Sequence, residues 1–173
     1  RGKVRDIYDL NDKLLIVTTD RISAFDHVLP TAIPGKGAVL TAMSEVWFRL
    51  TQDIVPNHLI TTDVDAMGDE VAQHAKTLRG RSMLVRKADR IDAECVVRGY
   101  ITGSGWVDYQ SSGEICGIPI PGGMREAEPF DEPLFTPSTK AESGHDENIS
   151  FGELSNMVGA DLASQLRDVS ITV

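Results

Sequence analysis

The segment LVRKADRIDAECVVRGYITGSGW, Leu84 to Trp106, contains two strand patterns that lead into a glycine-rich turn. Apolar and β-branched residues predict one strand over 82–87 and a second, buried strand that contains Cys95 to Val97 and ends at Arg98. Gly103-Ser104-Gly105 then predicts a turn into a short helix that stops at Gly113.

Arg98 and this turn suggest an anion site. A guanidinium at the end of a strand needs an anionic partner, and the start of a helix presents free backbone N–H groups. With the Ser104 hydroxyl, these groups would form a phosphate cradle. Alternatively, Arg98 pairs with an acid such as Glu94 and the glycines only turn the chain. The pattern leaves both interpretations open.

The composition is that of an ordinary globular protein. The chain has 173 residues, of which 41% are hydrophobic and 25% charged, enough for one good core or two small lobes. No apolar run approaches the ~18 residues of a membrane span, and the first residues lack a signal-peptide core. We therefore expect a cytoplasmic protein with no membrane partner. Cys95 and Cys116 form no CxxC pair, which predicts free thiols.

The net charge of -9 is unevenly placed along the chain. Residues 1–100 contain 14 basic and 14 acidic side chains, whereas residues 101–173 contain 3 basic and 12 acidic ones. Nucleic-acid binding requires a basic face, so this distribution argues against a nucleic-acid partner. The basic groups of the first part remain available for small anionic ligands.

The first part of the chain predicts a mostly antiparallel sheet with two helices. A hairpin is expected from alternating residues 3–8, a turn at Asn11-Asp12 and a strand over 13–19, with Lys3 and Arg5 on one side. Residues 19–26 form a polar loop that is either a site loop or a local Asp20–Arg21 ion pair. The core-facing helical residues are expected to be Leu40, Met43, Val46, Trp47 and Leu50 in one helix, and Met67, Val71 and Ala75 in a helix over 64–78.

The second part is expected to be less regular. Residues 114–132 predict an extended connection, and residues 133–150 are crowded with polar groups and have almost no apolar residue to bury. His145-Asp146-Glu147 lacks the spacing of a helical zinc site, so contact with a substrate or Mg²⁺ is the better interpretation. Ser150 and Glu153 form a capping box for a helix to about Arg167, whose inward residues are expected to be Leu154, Met157, Val158, Leu162 and Leu166.

Five sequence blocks together resemble one enzyme family. In chain order they are RGKVRDIYD, TDRISAFD, AECVVRGYITGSGW, GEICGIPIP and FTPSTKAESGHDENIS. They resemble the SAICAR synthetase (phosphoribosylaminoimidazole-succinocarboxamide synthase) family over essentially the whole chain. Glu94, Arg98, Thr102, Gly103 and Ser104 match the first signature of the family, whereas Asp92 stands where the family usually has proline.

This resemblance implies an ATP-dependent ligase of de novo purine synthesis. Such an enzyme uses ATP and Mg²⁺ to join L-aspartate to the carboxylate of carboxyaminoimidazole ribonucleotide (CAIR) through an acyl phosphate, releasing ADP and phosphate. Three anionic reactants require several cationic groups, which the first part of the chain can supply. The partners implied are these small molecules, and homo-oligomerisation is left open.

The resemblance also implies site residues and a fold. The ATP phosphates would be covered by Gly2, Lys3 and Arg5, and adenine would be bound by Arg86, Lys87, Ala88 and Asp89. The CAIR phosphate would be held by Arg98 and Ser104. Further contacts with substrates would come from Asp26, Lys140, Asp146, Glu147 and Asn148. Lys3, Asp26 and Lys140 are the catalytic candidates. The implied fold is α+β and related to ATP-grasp proteins. Residues 1–88 form an antiparallel lobe like the small lobe of kinases, and residues 89–173 form part of a second lobe.

The family motif Asp-x-Lys-aromatic-Glu-aromatic-Gly, which follows the matching region in the family, does not occur in this chain. We therefore expect a fragment of a longer enzyme, with the main Mg²⁺ ligands beyond Val173. Two alternatives remain. One is a non-catalytic nucleotide-binding module, and the other is a small-molecule kinase that stops after phosphoryl transfer.

Overall fold

The chain folds into two compact units, residues 1–89 and 90–173. The computed structural model describes residues 2–25, 27–140 and 146–173. Each unit combines helices with antiparallel strand pairs, which confirms the predicted α+β class. Among the described residues, no helix is long and apolar enough to cross a membrane.

The first unit is built on an antiparallel sheet covered by helices. Its strands are β1 (Arg5–Asp9), β2 (Lys13–Thr18), β3 (Ser23–Ala24), β4 (His27–Val28), β5 (Leu59–Thr61) and β6 (Ser82–Arg86), and its helices are α1 (Lys36–Leu50), α2 (Asp69–Ala72) and α3 (Ala75–Leu78). The main sheet has the order β1-β2-β6-β5, and β3 pairs with β4. The predicted hairpin is confirmed, because β1 and β2 pair around a turn in which Asn11 has a φ of 68°.

The core of the first unit lies between the sheet and residues 64–78. Six residues form it: Leu15, Val17, Val64, Met67, Val71 and Leu84. The prediction of one helix over 64–78 is wrong, because this region consists of a 3-10 turn followed by the separate helices α2 and α3. Gly68, with a φ of 99°, interrupts the helical path. Met67 and Val71 nevertheless point inward, as the apolar spacing predicts.

Helix α1 forms as predicted but turns its other face inward. Its buried residues are Gly37 and Thr41, while the residues predicted as core include Met43, Trp47 and Leu50, all more than half exposed. A Cβ at Gly37 would lie 2.3 Å from the Thr18 carbonyl oxygen, so the helix approaches the sheet through glycine. Only small residues permit such a close approach. The more apolar face of α1 is therefore exposed.

The second unit contains short strand pairs and three helices. Its strands are β7 (Ala93–Glu94), β8 (Val97–Tyr100), β9 (Glu114–Ile115), β10 (Ile118–Pro119), β11 (Pro129–Phe135) and β12 (Ser138–Thr139), and its helices are α4 (Gly103–Ser112), α5 (Phe151–Val158) and α6 (Ala160–Thr172). The antiparallel pairs are β8–β11, β9–β10 and β7–β12. Cys95 lies between β7 and β8 and is exposed, which corrects its predicted burial in a strand.

Two predictions for the middle of this unit are also wrong. Residues 114–132 are not only a connection, because β9 and β10 form a hairpin across Cys116 and Gly117, both with positive φ. The expectation that residues 133–150 have almost no apolar residue to bury is wrong for 133–140, since Phe135 and Pro137 are buried together with the polar Thr136 and Ser138. The Thr136 backbone N–H donates to the Val96 carbonyl at 2.8 Å, which compensates the burial of this polar stretch.

The C-terminal helical region begins with the predicted capping box. Ser150 Oγ accepts from the Glu153 N–H at 3.2 Å, and the Glu153 carboxylate accepts from the Ser150 N–H at 2.7 Å. The helix is then broken at Gly159, with φ of 89°, and not continuous to Arg167 as predicted. This break changes the helical phase, so Met157 and Leu162 are exposed and Ala163 is buried beside Leu154.

Replacing Leu154 with alanine should destabilise the full-length protein by about 2–5 kcal/mol, because it opens a cavity in a fully buried position. Met157→Ala is the matched control on the same helix. Its side chain is 48% exposed, so the expected loss is below about 1 kcal/mol. Urea unfolding midpoints measure both changes. Equal losses would show that Met157 belongs to the core.

Candidate functional site

The Arg98 guanidinium lies in the second unit at the centre of a polar cluster. Its Nε donates to Thr136 Oγ1 at 3.0 Å, its Nη2 donates to Ser104 Oγ at 2.8 Å, and its Nη1 donates to the Thr102 carbonyl at 3.4 Å. Thr102 and Ser104 lie at the start of α4 and Thr136 follows β11, so acceptors on two segments hold the guanidinium in one orientation. Arg98 and Ser104 are therefore brought together as the sequence predicts.

The alternative pairing of Arg98 with Glu94 is not formed. Glu94 instead accepts from Lys140, and no carboxylate in the described residues forms an ion pair with Arg98. All three acceptors around Arg98 are neutral oxygens. The positive charge of this partly buried side chain is thus not neutralised by a carboxylate of the described residues.

The start of α4 adds uncapped backbone N–H groups to this cluster. Thr102 precedes the helix in an extended conformation, and no side chain caps the first N–H groups. A Cβ at Gly105 would lie 3.3 Å from both Cδ and Nε of Arg98, so a larger residue there would crowd the guanidinium. Ten residues of helix follow before Gly113 ends it in the left-handed conformation, as predicted.

Asn148 joins the same cluster, and Asp108 holds it in place. Asn148 Nδ2 donates to Asp108 Oδ2 at 2.6 Å, which leaves Asn148 Oδ1 facing the Ser104 hydroxyl at 3.4 Å. Asp108 lies four residues after Ser104 on α4, so both side chains share one helix face. The sequence prediction omitted Asp108, although this i, i+4 spacing was a usable signal.

Replacing Asp108 with alanine should weaken binding of a phosphate monoester by the full-length protein about three- to tenfold, because Asn148 loses the partner that orients its amide. Gln110→Ala, an exposed position on the same helix, is the control and should leave this Kd unchanged. Calorimetry measures both values; an unchanged Kd in Asp108→Ala would exclude the role.

Lys140 lies in a second cluster of this unit. Its Nζ lies 2.5 Å from Glu94 Oε1 and 3.2 Å from Asp146 Oδ2. Pairing of β12 with β7 brings these groups together, because Ser138 is opposite Glu94. The hydrogen bond to Glu94, followed by that to Asp146, raises the pKa of Lys140. Lys140 is therefore a persistent cation and not a base near neutral pH.

Other predicted substrate-side residues differ in what they contribute. Glu147 bonds to Thr139 through its backbone, and its side chain is exposed. Asp26 and His145 lie outside the described residues. Asp92, at the position where the family usually has proline, accepts the Lys140 backbone N–H through its carbonyl at 3.0 Å.

The predicted phosphate-binding segment in the first unit forms a tight turn. The Gly2 N–H donates to the Arg5 carbonyl at 2.7 Å, and a Cβ at Gly2 would lie 3.0 Å from that oxygen. Lys3 lies in the turn before β1, so the prediction that strand alternation places it beside Arg5 is wrong. Arg5 is the first residue of β1 and is exposed.

One face of the main sheet could support the base of a nucleotide. Arg5 and Ile7 share this face with Ile16, which lies directly opposite Ile7 in the register. Ile7 is 55% exposed, so an apolar surface follows the cationic end of β1.

The predicted adenine-binding segment begins where β6 ends. Arg86 is the last residue of β6, and its N–H donates to the His58 carbonyl at 2.8 Å. Lys87 forms an ion pair with Asp9 at 2.7 Å. Ala88 and Asp89 are exposed and outside secondary structure, so their backbone groups are not used in a sheet.

Metal binding is not evident within the described ranges. They contain no group of three or more His, Cys, Asp or Glu side chains that could hold a metal ion. The His58 ring meets the Phe48 ring edge-on, with centroids 5.3 Å apart, and desolvation lowers the pKa of its imidazole. Neither His58 nor His74 belongs to such a group within these ranges.

Comparison with known proteins agrees with the resemblance of the five blocks. The family model described as SAICAR synthetase matches residues 1–173. The phosphoribosylaminoimidazole-succinocarboxamide synthases of Geobacter sulfurreducens and Geotalea uraniireducens are 59% and 57% identical to the chain; each match covers 100% of this chain and 59% of the relative. The chain thus spans about three fifths of the length of these curated relatives.

Solved structures show the same similarity in three dimensions. SAICAR synthase from Saccharomyces cerevisiae, complexed with SAICAR, superposes with a TM-score of 0.90 at 41% identity, covering 99% of this chain and 58% of that one. A SAICAR synthetase in complex with ADP has a TM-score of 0.74 at 20% identity, covering 99% and 63%, and shows the shared fold. The chain belongs to the SAICAR synthetase family.

Proposed function

We propose that the full-length protein joins L-aspartate to the carboxylate of CAIR at the expense of ATP, giving SAICAR, ADP and phosphate. The observation that carries this proposal is the Arg98 cluster, where a guanidinium without an acidic partner in the described residues meets Ser104 and an uncapped helix start. These groups suit a phosphate monoester. The yeast relative complexed with SAICAR supports a ribonucleotide as the ligand.

The proposed reaction has two steps. The γ-phosphoryl group of ATP passes to the CAIR carboxylate, and the aspartate amine then displaces phosphate from the acyl phosphate. A carboxylate is a poor electrophile until its leaving oxygen is part of a phosphate, which explains the need for ATP. Both reacting groups in the first step are anions, so cationic residues must stabilise the transition state.

The first unit is proposed to bind ATP. Gly2, Lys3 and Arg5 would contact the phosphates, and the apolar sheet face beside Arg5 would support the base. Backbone groups of Arg86–Asp89 would recognise the adenine edge, because Ala88 and Asp89 lie outside the sheet. The complex of a structural neighbour with ADP agrees with a nucleotide site in this fold.

The second unit is proposed to bind CAIR. Arg98 and Ser104 would hold its phosphate, with Asn148 orienting the Ser104 hydroxyl. Lys140 and Asp146 would contact the substrates on the reacting side, and Asp26 and Glu147 are assigned to the same side by the family resemblance. Lys140 would act as a fixed positive charge and not as a proton acceptor.

Mg²⁺ is proposed as the companion of ATP, supplying positive charge to the phosphates. The described residues provide no complete set of ligands, and Glu94 and Asp146 are already bound to Lys140. No residue of the described chain is therefore assigned to the metal. We further propose that the enzyme works in the cytoplasm, where purine nucleotides are made.

The test measures ADP release and SAICAR formation by the full-length protein with ATP, Mg²⁺, CAIR and L-aspartate. Turnover should require both CAIR and aspartate. A stable phosphorylated product formed without aspartate would identify a small-molecule kinase instead. ATP binding without any turnover would identify a nucleotide-binding module, and either result would overturn the ligase proposal.

A further inference from the structure

Arg21 makes an unusual set of contacts with the turn that precedes β1. Its Nε donates to the Lys3 carbonyl at 3.1 Å, and its Nη2 donates to the Gly2 carbonyl at 3.1 Å. The same guanidinium donates to both carboxylate oxygens of Asp6, from Nη1 to Oδ2 at 3.2 Å and from Nη2 to Oδ1 at 2.8 Å. One side chain thus binds three residues of a five-residue segment.

The backbone of Arg21 is itself anchored. Its N–H donates to Thr19 Oγ1 at 3.3 Å, and Thr19 bonds to the Val4 carbonyl through both its N–H and its hydroxyl. On the other side, Lys36 Nζ donates to the Arg21 carbonyl at 3.1 Å. These bonds fix the backbone from which the Arg21 side chain extends, and that side chain is only 20% exposed.

These contacts determine the direction of the turn's peptide groups. In a trans peptide the carbonyl of one residue points opposite to the N–H of the next. Because the carbonyls of Gly2 and Lys3 face Arg21, the N–H groups of Lys3 and Val4 face away from it. Two successive N–H groups on the same side of a turn suit the oxygens of a phosphate.

We infer that Arg21 is a positioning residue that orients the Gly2–Val4 peptide groups for the phosphates of a nucleoside triphosphate. The inference rests on the proposed function and adds a residue that the resemblance does not assign. Gly2 has no side chain to restrict its backbone, so an unbraced turn would lose conformational freedom on binding. Because Arg21 fixes the turn before the ligand binds, less conformational entropy is lost on binding. Arg21 thereby raises the affinity without contacting the ligand.

Lysine cannot replace arginine in this role. The guanidinium fork reaches two carbonyls and a carboxylate at once, whereas an ammonium is a single point charge. The hydrogen bond with Asp6 raises the pKa of Arg21 more than burial lowers it, so the side chain is charged before a ligand binds.

The test measures the Kd for ATP of the full-length protein by calorimetry, together with the KM values for ATP and CAIR. Arg21→Lys should raise the Kd and KM for ATP about tenfold, with the KM for CAIR unchanged. Arg79→Lys is the matched control, because Arg79 forms a similar bidentate pair with Asp65 at 3.0 Å and contacts no carbonyl of the turn. Its constants should equal those of the wild type.

Each outcome has a separate meaning. An Arg21→Lys variant with a lower melting temperature but an unchanged Kd for ATP would show a merely structural role and overturn the inference. If the variant is too unstable to measure, Asp6→Asn provides the second test, since it weakens the fork and should raise the Kd for ATP severalfold; an unchanged Kd overturns the inference. A wild type that binds ATP without ligation would overturn the proposed reaction only, and one that does not bind ATP would overturn both.

Discussion

Under the proposed function, replacing Arg98 with alanine is expected to raise the KM of the full-length protein for CAIR about 100-fold. A charge-assisted bidentate contact with a phosphate contributes roughly 2–4 kcal/mol, and each 1.4 kcal/mol is a factor of ten. The expected loss is large because no other arginine or lysine among the described residues contacts Ser104 or the start of α4. Initial rates with varied CAIR at saturating ATP and aspartate measure it.

Arg98→Lys and Arg125→Ala complete the design. The lysine variant keeps the charge but loses the fork that reaches Thr136 and Ser104, so its KM for CAIR should lie between those of the wild type and Arg98→Ala. Arg125 is an exposed arginine of the same unit, and its removal should leave the KM for CAIR unchanged. A rise in the KM for ATP alone in Arg98→Ala would contradict the assignment to CAIR.

Under the proposed function, replacing Lys140 with methionine is expected to lower the kcat of the full-length protein about 100- to 1000-fold at saturating substrates. Loss of one preorganised group that stabilises developing charge has an effect of this size. The change also leaves Glu94 and Asp146 as two neighbouring carboxylates without the cation between them, which repels the anionic reactants. Because the raised pKa keeps Lys140 charged, the defect should be the same across the neutral pH range.

Two controls separate catalysis from folding in this experiment. Lys140→Arg keeps a cation and should retain much more activity than the methionine variant. Lys76→Met removes an exposed lysine of α3 and should have the kcat of the wild type. If Lys140→Met loses activity in proportion to the fraction of unfolded protein, as judged by circular dichroism, Lys140 has only a structural role.

Local signals predicted several elements correctly. The hairpin β1–β2 follows from alternation and the Asn11-Asp12 turn, and the start of α5 follows from the Ser150–Glu153 capping box. Helix α4 ends at Gly113 because glycine adopts its φ of 78° without strain. Each of these features depends on residues within a few positions of one another, which is why the sequence alone predicts them.

Features that depend on helix phase were predicted less well. The apolar stripe of α1 was expected inside, yet Gly37 and Thr41 face the sheet because the backbone of Thr18 approaches so closely. In the C-terminal region, Gly159 divides the predicted helix and turns Met157 and Leu162 outward. Periodicity identifies a helix, but the surface that packs against it decides which face is buried.

From its sequence, the stretch from Leu84 to Trp106 predicts that Arg98 and Ser104 lie close together, because a strand, a glycine turn and a helix start connect them directly, but it leaves open whether Arg98 pairs with Glu94. The hydrogen-bond partners of Arg98 and Ser104 are evident only from the tertiary structure. Thr136 and Asn148 are distant in sequence but hydrogen-bond to Arg98 and Ser104. Glu94 accepts a hydrogen bond from Lys140 and does not pair with Arg98. Arg21 donates to the Gly2 carbonyl in the turn before β1. These contacts depend on strand pairing and chain packing between residues far apart in sequence, and no local pattern specifies them.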